Sequence, residues 1–340
     1  MKRLEVSQVE LKKHLKSFFP SLAQYPDKYL SYIFRNPAAV NKHMAYLCPL
    51  CLQNFIYCST TQVLCSETFS LDHYPPESVC GKLTVLVCKP CNNYAGETYE
   101  SKLREIIEKE CFNRKIPSSS INSQVTISDV RGWHKGKFFI NESGEYEFKL
   151  TTNQTKNLPE LAEWNINPIG DWELTATVNH LNELNFSKTL LKAAYLFCFS
   201  HWGYSFAFSS SGQLMRDSLN DKQIYPIKIP SIWLDNKSTN ADFNCIIQGV
   251  VFITEPKRLQ SIFVNLPIEI EEFKYKCIIP IQIPNPSSEN LKQLVRVNNQ
   301  ILSQSVTVKI APINFPAPAM LDSFSSTWFS LLKQFENVPD

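Results

Sequence analysis

Apolar residues recur at helical spacing in the first 47 residues of the chain. Residues 6–19 fit one helix and residues 29–34 fit a second one, with Pro37 near its end. Lys and Arg outnumber Asp and Glu in this segment. The excess of basic residues is typical of a solvated helix face, and it also fits a surface that faces phosphate groups.

The pattern changes after Cys48. Short alternating runs at residues 62–64 and 83–87 predict strands. A charged helix follows and ends near Asn113; its apolar stripe consists of Tyr99, Leu103, Ile106, Ile107 and Phe112. Residues 116–120, which contain proline and three serines, are typical of a linker.

The remaining residues predict a separate unit of helices and strands. Residues 137–150 alternate around Ser143-Gly144 as a β-hairpin does. Ser187 is a capping residue for a helix that we expect to end at Gly203, and its aromatic residues are typical of a core. Further strands are predicted at 245–254, 261–264 and 275–283, and a last helix at 321–335.

The composition excludes a largely disordered chain. It is 44% hydrophobic and 19% charged, which allows a sizeable core, and 340 residues suffice for about two domains. The formal net charge is only +2, so any surface for nucleic acid has to be local. The 9 glycines form neither a GxGxxG nor a Walker A pattern, which argues against a phosphate-binding loop.

The sequence predicts neither export nor a membrane span. Residues 1–6 lack the apolar core of a signal peptide. The longest apolar stretch, 193–208, is interrupted by His201 and Gly203 and is shorter than the roughly 20 residues of a span. We therefore expect a cytoplasmic protein without a membrane partner, in which the 11 cysteines are metal ligands and core residues rather than disulfides.

Four of the cysteines form two CxxC pairs. The pairs are Cys48-Pro49-Leu50-Cys51 and Cys88-Lys89-Pro90-Cys91, with 36 residues between Cys51 and Cys88. Each CxxC turn directs two thiolates toward one point, and two such turns are the usual ligands of a tetrahedral zinc site. We predict that Cys48, Cys51, Cys88 and Cys91 bind one structural Zn²⁺ and that a functional segment is inserted between the pairs.

The inserted segment contains an adjacent carboxylate and imidazole. Asp72 and His73 end a predicted strand, which Pro75 terminates. Asn92 and Asn93 follow the second cysteine pair and open the charged helix, where Asn is also a common capping residue. Adjacent strand residues point to opposite faces, so Asp72 and His73 converge only if the strand is irregular there. Because prolines follow directly, we expect such an irregularity.

Taken in order, these residues resemble the HNH endonuclease superfamily, and most of all its zinc-knuckle branch. The matching motif is Cys48-x-x-Cys51, Leu71-Asp72-His73-x-Pro75 and Cys88-x-x-Cys91-Asn92-Asn93-x-x-Gly96. The resemblance implies a ββα-metal fold in which His73 is the general base that activates water and Asp72 is a metal ligand. It also implies that Asn92 completes the protein's hold on Mg²⁺ or Mn²⁺. The family's middle Asn has no counterpart, because Lys82, Leu83 and Thr84 occupy that position.

The roles that the resemblance implies agree with the chemistry of phosphodiester hydrolysis. A neutral imidazole accepts a water proton near physiological pH. One carboxylate and one amide oxygen suit a cation such as Mg²⁺, which keeps several waters. Lys82 and Lys89 flank the predicted catalytic hairpin and are candidate contacts for DNA phosphates.

We therefore expect a metal-dependent endonuclease that hydrolyses DNA, and nucleases of this kind often serve restriction or phage defence in bacteria. Two alternatives stay open. The absent middle Asn favours a non-catalytic zinc-knuckle module that binds nucleic acid or protein. An RNA nuclease would use the same phosphate chemistry.

The predicted fold class is α+β with two parts. Residues 1–115 are expected to form a helical N-terminus and the nuclease domain, whose core spans 46–113. A linker over 116–124 leads to a mixed α+β accessory domain over 125–340. That domain is expected to select targets or regulate cleavage, through a protein partner or through contact with a second copy of the chain.

Overall fold

The computed structural model describes a little over half of the chain, with 14 strands and four α-helices. The described residues are 45–58, 63–79, 81–82, 84–127, 130–150, 174–177, 183–221, 233–234, 249–255, 261–270, 273–282 and 309–312. The helices predicted in the first 44 residues and at 321–335 lie outside these ranges. Within the described ranges, no helix combines the length and the apolarity that a membrane crossing requires.

The strands, in chain order, are β1 Ala45–Leu47, β2 Phe55–Cys58, β3 Val63–Cys65, β4 Phe69–His73, β5 Thr84–Cys88, β6 Ser120–Ile127, β7 Val130–Ile140, β8 Tyr146–Leu150, β9 Leu174–Thr177, β10 Trp233–Leu234, β11 Gly249–Glu255, β12 Ser261–Ile270, β13 Phe273–Gln282 and β14 Lys309–Pro312. The helices are α1 Lys89–Thr98, α2 Leu103–Asn113, α3 Glu183–Ala207 and α4 Ser210–Leu219. Short 3-10 turns occupy Glu77–Val79 and Glu100–Lys102. This mixture of helices and small antiparallel sheets confirms the α+β class.

The chain forms two compact units. Unit 1 comprises Met1–Ser101 and Glu183–Asp340, and unit 2 comprises Lys102–Asn182. The predicted boundaries of a nuclease domain over 1–115 and an accessory domain over 125–340 stay a prediction. Residues 120–124, which we predicted as linker, form the start of strand β6.

Unit 1 contains three sheets among its described residues. β1, β2 and β3 form one antiparallel sheet, β4 and β5 form a hairpin, and the third sheet has the order β10-β13-β12-β11-β14. The hairpin is paired without interruption from Phe69 opposite Cys88 to His73 opposite Thr84. Helix α1 starts at the next residue, Lys89, and contacts both strands of the hairpin. Pro90 suits this start, because its missing N–H lies in the first helical turn.

Helix α3 provides the core of unit 1. Six aromatic residues of this helix are buried, which confirms their interpretation as core; they are Tyr195, Phe197, Phe199, Trp202, Tyr204 and Phe206. The helix starts at Glu183, before the predicted Ser187 cap, and it contacts β12 and β13. Gly203 interrupts it with φ 56° and ψ −140°, a conformation that glycine adopts readily, and helical turns resume as far as Ala207.

Unit 2 contains the four-stranded antiparallel sheet β8-β7-β6-β9, and α2 packs against β6. The predicted hairpin at 137–150 is confirmed as β7 and β8. Gly144 takes φ 80° in its turn, and Asn141 Oδ1 accepts hydrogen bonds from the backbone N–H groups of Ser143 and Glu145.

The charged helix predicted from Asn92 to Asn113 is two helices. Its end at Asn113 is confirmed, but α1 stops at Thr98, where Tyr99 leaves the helical region with φ −137°. Tertiary bonds replace the helical ones at this point. The Tyr99 carbonyl accepts a hydrogen bond from Thr189 Oγ1, and the Glu100 carboxylate binds Lys192.

Candidate metal centre and the adjoining hairpin

The four predicted zinc ligands lie together. The sulfur atoms of Cys48, Cys51, Cys88 and Cys91 are all within 4.8 Å of one another. The Cys51 and Cys88 sulfurs are 3.9 Å apart. Tetrahedral Zn²⁺ with bonds of about 2.3 Å separates its sulfur ligands by about 3.8 Å. The cluster can therefore hold one metal ion such as Zn²⁺.

Four local elements position these sulfurs. Cys48 follows β1, and Cys51 lies in the turn after it, where the N–H of Leu52 donates to the Cys48 carbonyl at 2.8 Å. Cys88 ends β5, and Cys91 lies in the first turn of α1. Two strand ends, a tight turn and a helix start thus converge on one point, as the two CxxC pairs predict.

Hydrogen-bond donors surround the sulfurs. The backbone N–H of Cys88 donates to Cys48 Sγ at 3.3 Å, and Asn54 Nδ2 donates to Cys88 Sγ at 3.3 Å. The N–H groups of Gln53 and Asn54 point at Cys51 Sγ. Burial raises the pKa of the Cys48 thiol, whereas hydrogen bonds from Cys48 and Cys88 lower the pKa of Cys51. A cation would favour the thiolate form of all four sulfurs at once.

Tyrosines of α3 hold the first cysteine turn in place. Tyr195 OH donates to the Pro49 carbonyl at 2.7 Å. Tyr204 OH donates to the Leu47 carbonyl and accepts from the Leu47 N–H, both at 2.7 Å. No motif in the sequence connects α3 with the zinc site. The available signal was the presence of tyrosines in an apolar helix, because a buried tyrosine hydroxyl requires a partner.

Asp72 and His73 lie on opposite faces of the hairpin. The expected irregularity of the strand is wrong, because β4 pairs regularly with β5 through His73. The chain departs from strand geometry only afterwards, at the cis peptide bond between Tyr74 and Pro75. Asp72 is buried, and His73 is partly exposed at the strand end.

Asn92 contacts the hairpin on the face that carries Asp72. Its Nδ2 donates to Ser70 Oγ at 3.0 Å. Ser70 and Asp72 are two residues apart in a regular strand and therefore share a face. The structure brings Asn92 to this side of the hairpin, and His73 lies on the other side.

The Asp72 carboxylate is paired with a lysine of α3. Lys192 Nζ lies 2.6 Å from Asp72 Oδ2 and 2.7 Å from Glu100 Oε1. The side chains of Lys192, Asp72 and Glu100 are 1%, 5% and 13% exposed. We call these three residues the Lys192 triad. Burial raises the pKa of both carboxyl groups, and the ammonium group of Lys192 opposes the rise.

The triad changes the surroundings of a predicted metal ligand. The ammonium group lies 2.6 Å from Asp72 Oδ2, so this carboxylate already has a cationic partner in the protein. Among the described residues, one group of three or more Cys, His or acidic side chains is placed to share a metal ion. This group consists of the four cysteines. The metal-ligand roles of Asp72 and Asn92 and the base role of His73 stay predictions.

Lys82 and Lys89 are exposed on either side of β5. Lys82 precedes the strand, and Lys89 begins α1. Their predicted role in binding phosphate groups stays a prediction. Lys192 and Glu100 were not among the residues predicted from the sequence. A lysine inside the apolar run of α3 was the signal, because lysine is rarely buried without a partner.

Comparison of the chain with protein-family models, with curated proteins and with solved structures gives no match. The functional assignment therefore depends on the residues and the geometry described above.

Proposed function

We propose that the chain is a zinc-stabilised endonuclease of the HNH type that hydrolyses phosphodiester bonds of DNA. One observation carries the proposal, namely a hairpin and a following helix built onto the cysteine cluster. Cys88 ends β5, Cys91 lies in α1, and His73 ends the partner strand with a partly exposed side chain. This order of two antiparallel strands and a helix is the one that the resemblance implies.

The residues of this hairpin support a specific division of labour. The imidazole of His73 accepts the proton of the attacking water, a task that suits histidine at physiological pH. Lys82 and Lys89 attract the phosphate backbone from the ends of β5. The cysteine cluster holds β5 and the start of α1 to the turn at Cys48–Cys51 and so fixes the hairpin. The proposal includes dependence on Mg²⁺ or Mn²⁺, which would neutralise negative charge on the attacked phosphate.

The test is a cleavage assay with the purified full chain. Supercoiled plasmid DNA and an RNA of similar length are incubated with Mg²⁺, with Mn²⁺ and with a chelator, and His73→Ala is purified and assayed in parallel. We expect the parent protein to cut DNA in the presence of a divalent cation and the variant to be inactive. Cleavage by both proteins at one rate points to a contaminating nuclease and contradicts the proposal.

A second candidate is a non-catalytic zinc module that binds nucleic acid or protein. Two observations favour it, which are the neutralisation of Asp72 by Lys192 and the opposite faces of Asp72 and His73. Binding without cleavage, measured by gel shift on the same DNA and RNA, would identify this class. Cleavage of RNA alone would identify the ribonuclease alternative.

A role in restriction or phage defence accompanies the nuclease proposal by analogy and is tested by plating phage on cells that express the parent or His73→Ala.

A further inference from the structure

We infer that Lys192 is a positioning residue for His73, and this inference rests on the proposed function. Lys192 lies in α3, 120 residues after Asp72 in the chain, and its ammonium group bridges Asp72 and Glu100. It is 1% exposed, so it does not touch the substrate. Its effect reaches His73 through Asp72.

The connection between Lys192 and His73 is short. Asp72 directly precedes His73 in β4, so the ion pair with Lys192 fixes the strand residue whose peptide bond leads into His73. On the other side of His73, the buried Tyr74 side chain lies beside Ser200 of α3. Both neighbours of His73 therefore lie against one helix.

The anchoring residues follow the helical repeat of α3. Thr189 binds the Tyr99 carbonyl, Lys192 binds the triad carboxylates, and Ser200 lies beside Tyr74. Lys192 and Ser200 are separated by eight residues, slightly over two helical turns, and so lie on one broad face of the helix. The ion pair of Lys192 holds the end of β4 to a rigid element, and a general base requires such precise placement relative to the attacked phosphate.

Burial of the three charged groups of the Lys192 triad costs free energy, and this cost favours a role beyond packing. A buried lysine with two carboxylates requires full pairing, and apolar residues of similar volume would fill the same space without that cost. The triad is also the contact that links β4, the segment after α1, and α3. The geometry thus assigns to Lys192 the alignment of the strand end that carries His73.

Four variants of the full chain test this assignment. Lys192→Met removes the charge at similar length, and Lys192→Arg keeps it. The double variant Lys192→Met/Glu100→Gln removes one positive and one negative charge together, so Asp72 is the one buried carboxyl group that loses its cation, and the zinc content and unfolding transition of this variant are measured first. Lys188→Met is the matched control, because Lys188 lies one turn earlier on α3 and pairs with Asp221 rather than with the hairpin.

Two readouts are measured for each variant. The first is kcat and KM for DNA cleavage, where Lys192→Met and the double variant should lose about 10- to 100-fold in kcat with KM within about 2-fold, as a misplaced base does. Lys192→Arg should recover most of the loss, and Lys188→Met should match the parent. The second is hydrogen exchange over residues 69–76, which should become about 10-fold faster in the double variant, while residues 45–54 exchange as in the parent.

The inference is overturned if the double variant, folded and loaded with zinc, has the kcat and the exchange rates of Lys188→Met. If the parent protein cleaves neither DNA nor RNA, the proposed function fails, and the exchange measurement then decides whether Lys192 holds the end of β4. Faster exchange at 69–76 in that case supports the anchoring by Lys192, and unchanged exchange refutes it.

Discussion

His73 is the residue on which the proposed hydrolysis depends most directly. Its replacement by alanine should lower the cleavage rate by about 10²- to 10⁴-fold, the usual contribution of a general base. The side chain is partly exposed at a strand end, so folding, zinc content and DNA binding should be retained. Rates measured on plasmid DNA, together with elemental analysis for zinc, check this expectation. A variant that cleaves like the parent would remove His73 from the mechanism.

The Lys192 triad predicts a pH-dependent stability. Burial raises the pKa of Asp72 and Glu100, so the folded chain binds protons more tightly there than the unfolded chain does. This difference in pKa stabilises the folded chain fully when the pH is below the unfolded pKa values of about 4. The stabilisation is lost as the pH rises through the folded pKa values. Lys192 limits the loss by opposing the rise of both pKa values. His73 and Tyr99 are the other titratable groups beside the two carboxyl groups.

Lys192→Met should therefore destabilise the chain more at pH 8 than at pH 5. Breaking a buried ion pair costs about 3–5 kcal/mol when the remaining carboxylates are ionised, and less when they are protonated. Denaturant unfolding at the two pH values measures the difference. Lys188→Met serves as the control, because its partner Asp221 is exposed and the expected cost is below about 1 kcal/mol at either pH. An equal loss at both pH values would show that the triad does not titrate as described.

At the scale of elements, α3 supports the cysteine turn through Tyr204. This hydroxyl satisfies both backbone groups of Leu47, which is fully buried next to Cys48. Tyr204→Phe leaves a buried N–H and a buried carbonyl without this partner and should cost about 2 kcal/mol in the free energy of unfolding. Tyr94→Phe is a suitable control, since Tyr94 is exposed and its bond to Asp221 lies at the surface. Similar losses in the two variants would argue against this support.

The cysteine cluster joins β5 and α1 to the turn after β1, and zinc should stabilise that junction. Cys88→Ser removes a sulfur that accepts a bond from Asn54 and lies in the cluster. We expect loss of zinc and a clear drop in Tm, because structural zinc sites contribute on the order of 10 kcal/mol of binding energy. Cys65→Ser provides the comparison, as Cys65 is buried but lies outside the cluster. Well-folded parent protein without zinc would contradict the assignment of the metal.

The elements that the sequence predicts correctly are set by local patterns. The CxxC spacing predicts the cluster, the Ser-Gly turn predicts the hairpin of β7 and β8, and the run of aromatic residues predicts a buried α3. The break at Tyr99 and the pairing of Lys192 could not be predicted, because the partners are 90 and 92 residues apart. The regular strand through His73 reflects complete pairing with β5, which overrides the local effect of the prolines.

At the scale of the whole molecule, the cysteine cluster and α3 belong to one compact unit formed by two separate stretches of chain. Tyr195 and Tyr204 bind the backbone beside Cys48, and Lys192 binds Asp72. A fragment that ends near residue 118 would lack all three side chains and expose the apolar surface they cover. The cysteine cluster and the β4–β5 hairpin therefore depend on residues far beyond residue 118.

This division predicts that unit 2 can be removed without loss of the zinc site. Residues 102–182 interrupt unit 1 in the chain. The two segments of unit 1 that flank them are held near each other, because Tyr99 and Glu100 bind Thr189 and Lys192 of α3. Replacement of residues 102–182 by a short Gly/Ser linker should therefore give a soluble protein with one bound zinc ion and a cooperative unfolding transition. A fragment of residues 1–118 should instead be insoluble or fail to retain zinc. The two proteins are compared by size-exclusion chromatography, elemental analysis and thermal unfolding. A folded, zinc-bound fragment of residues 1–118 would support the boundary predicted from the sequence, and it would mean that the bonds from α3 are dispensable for the cysteine cluster.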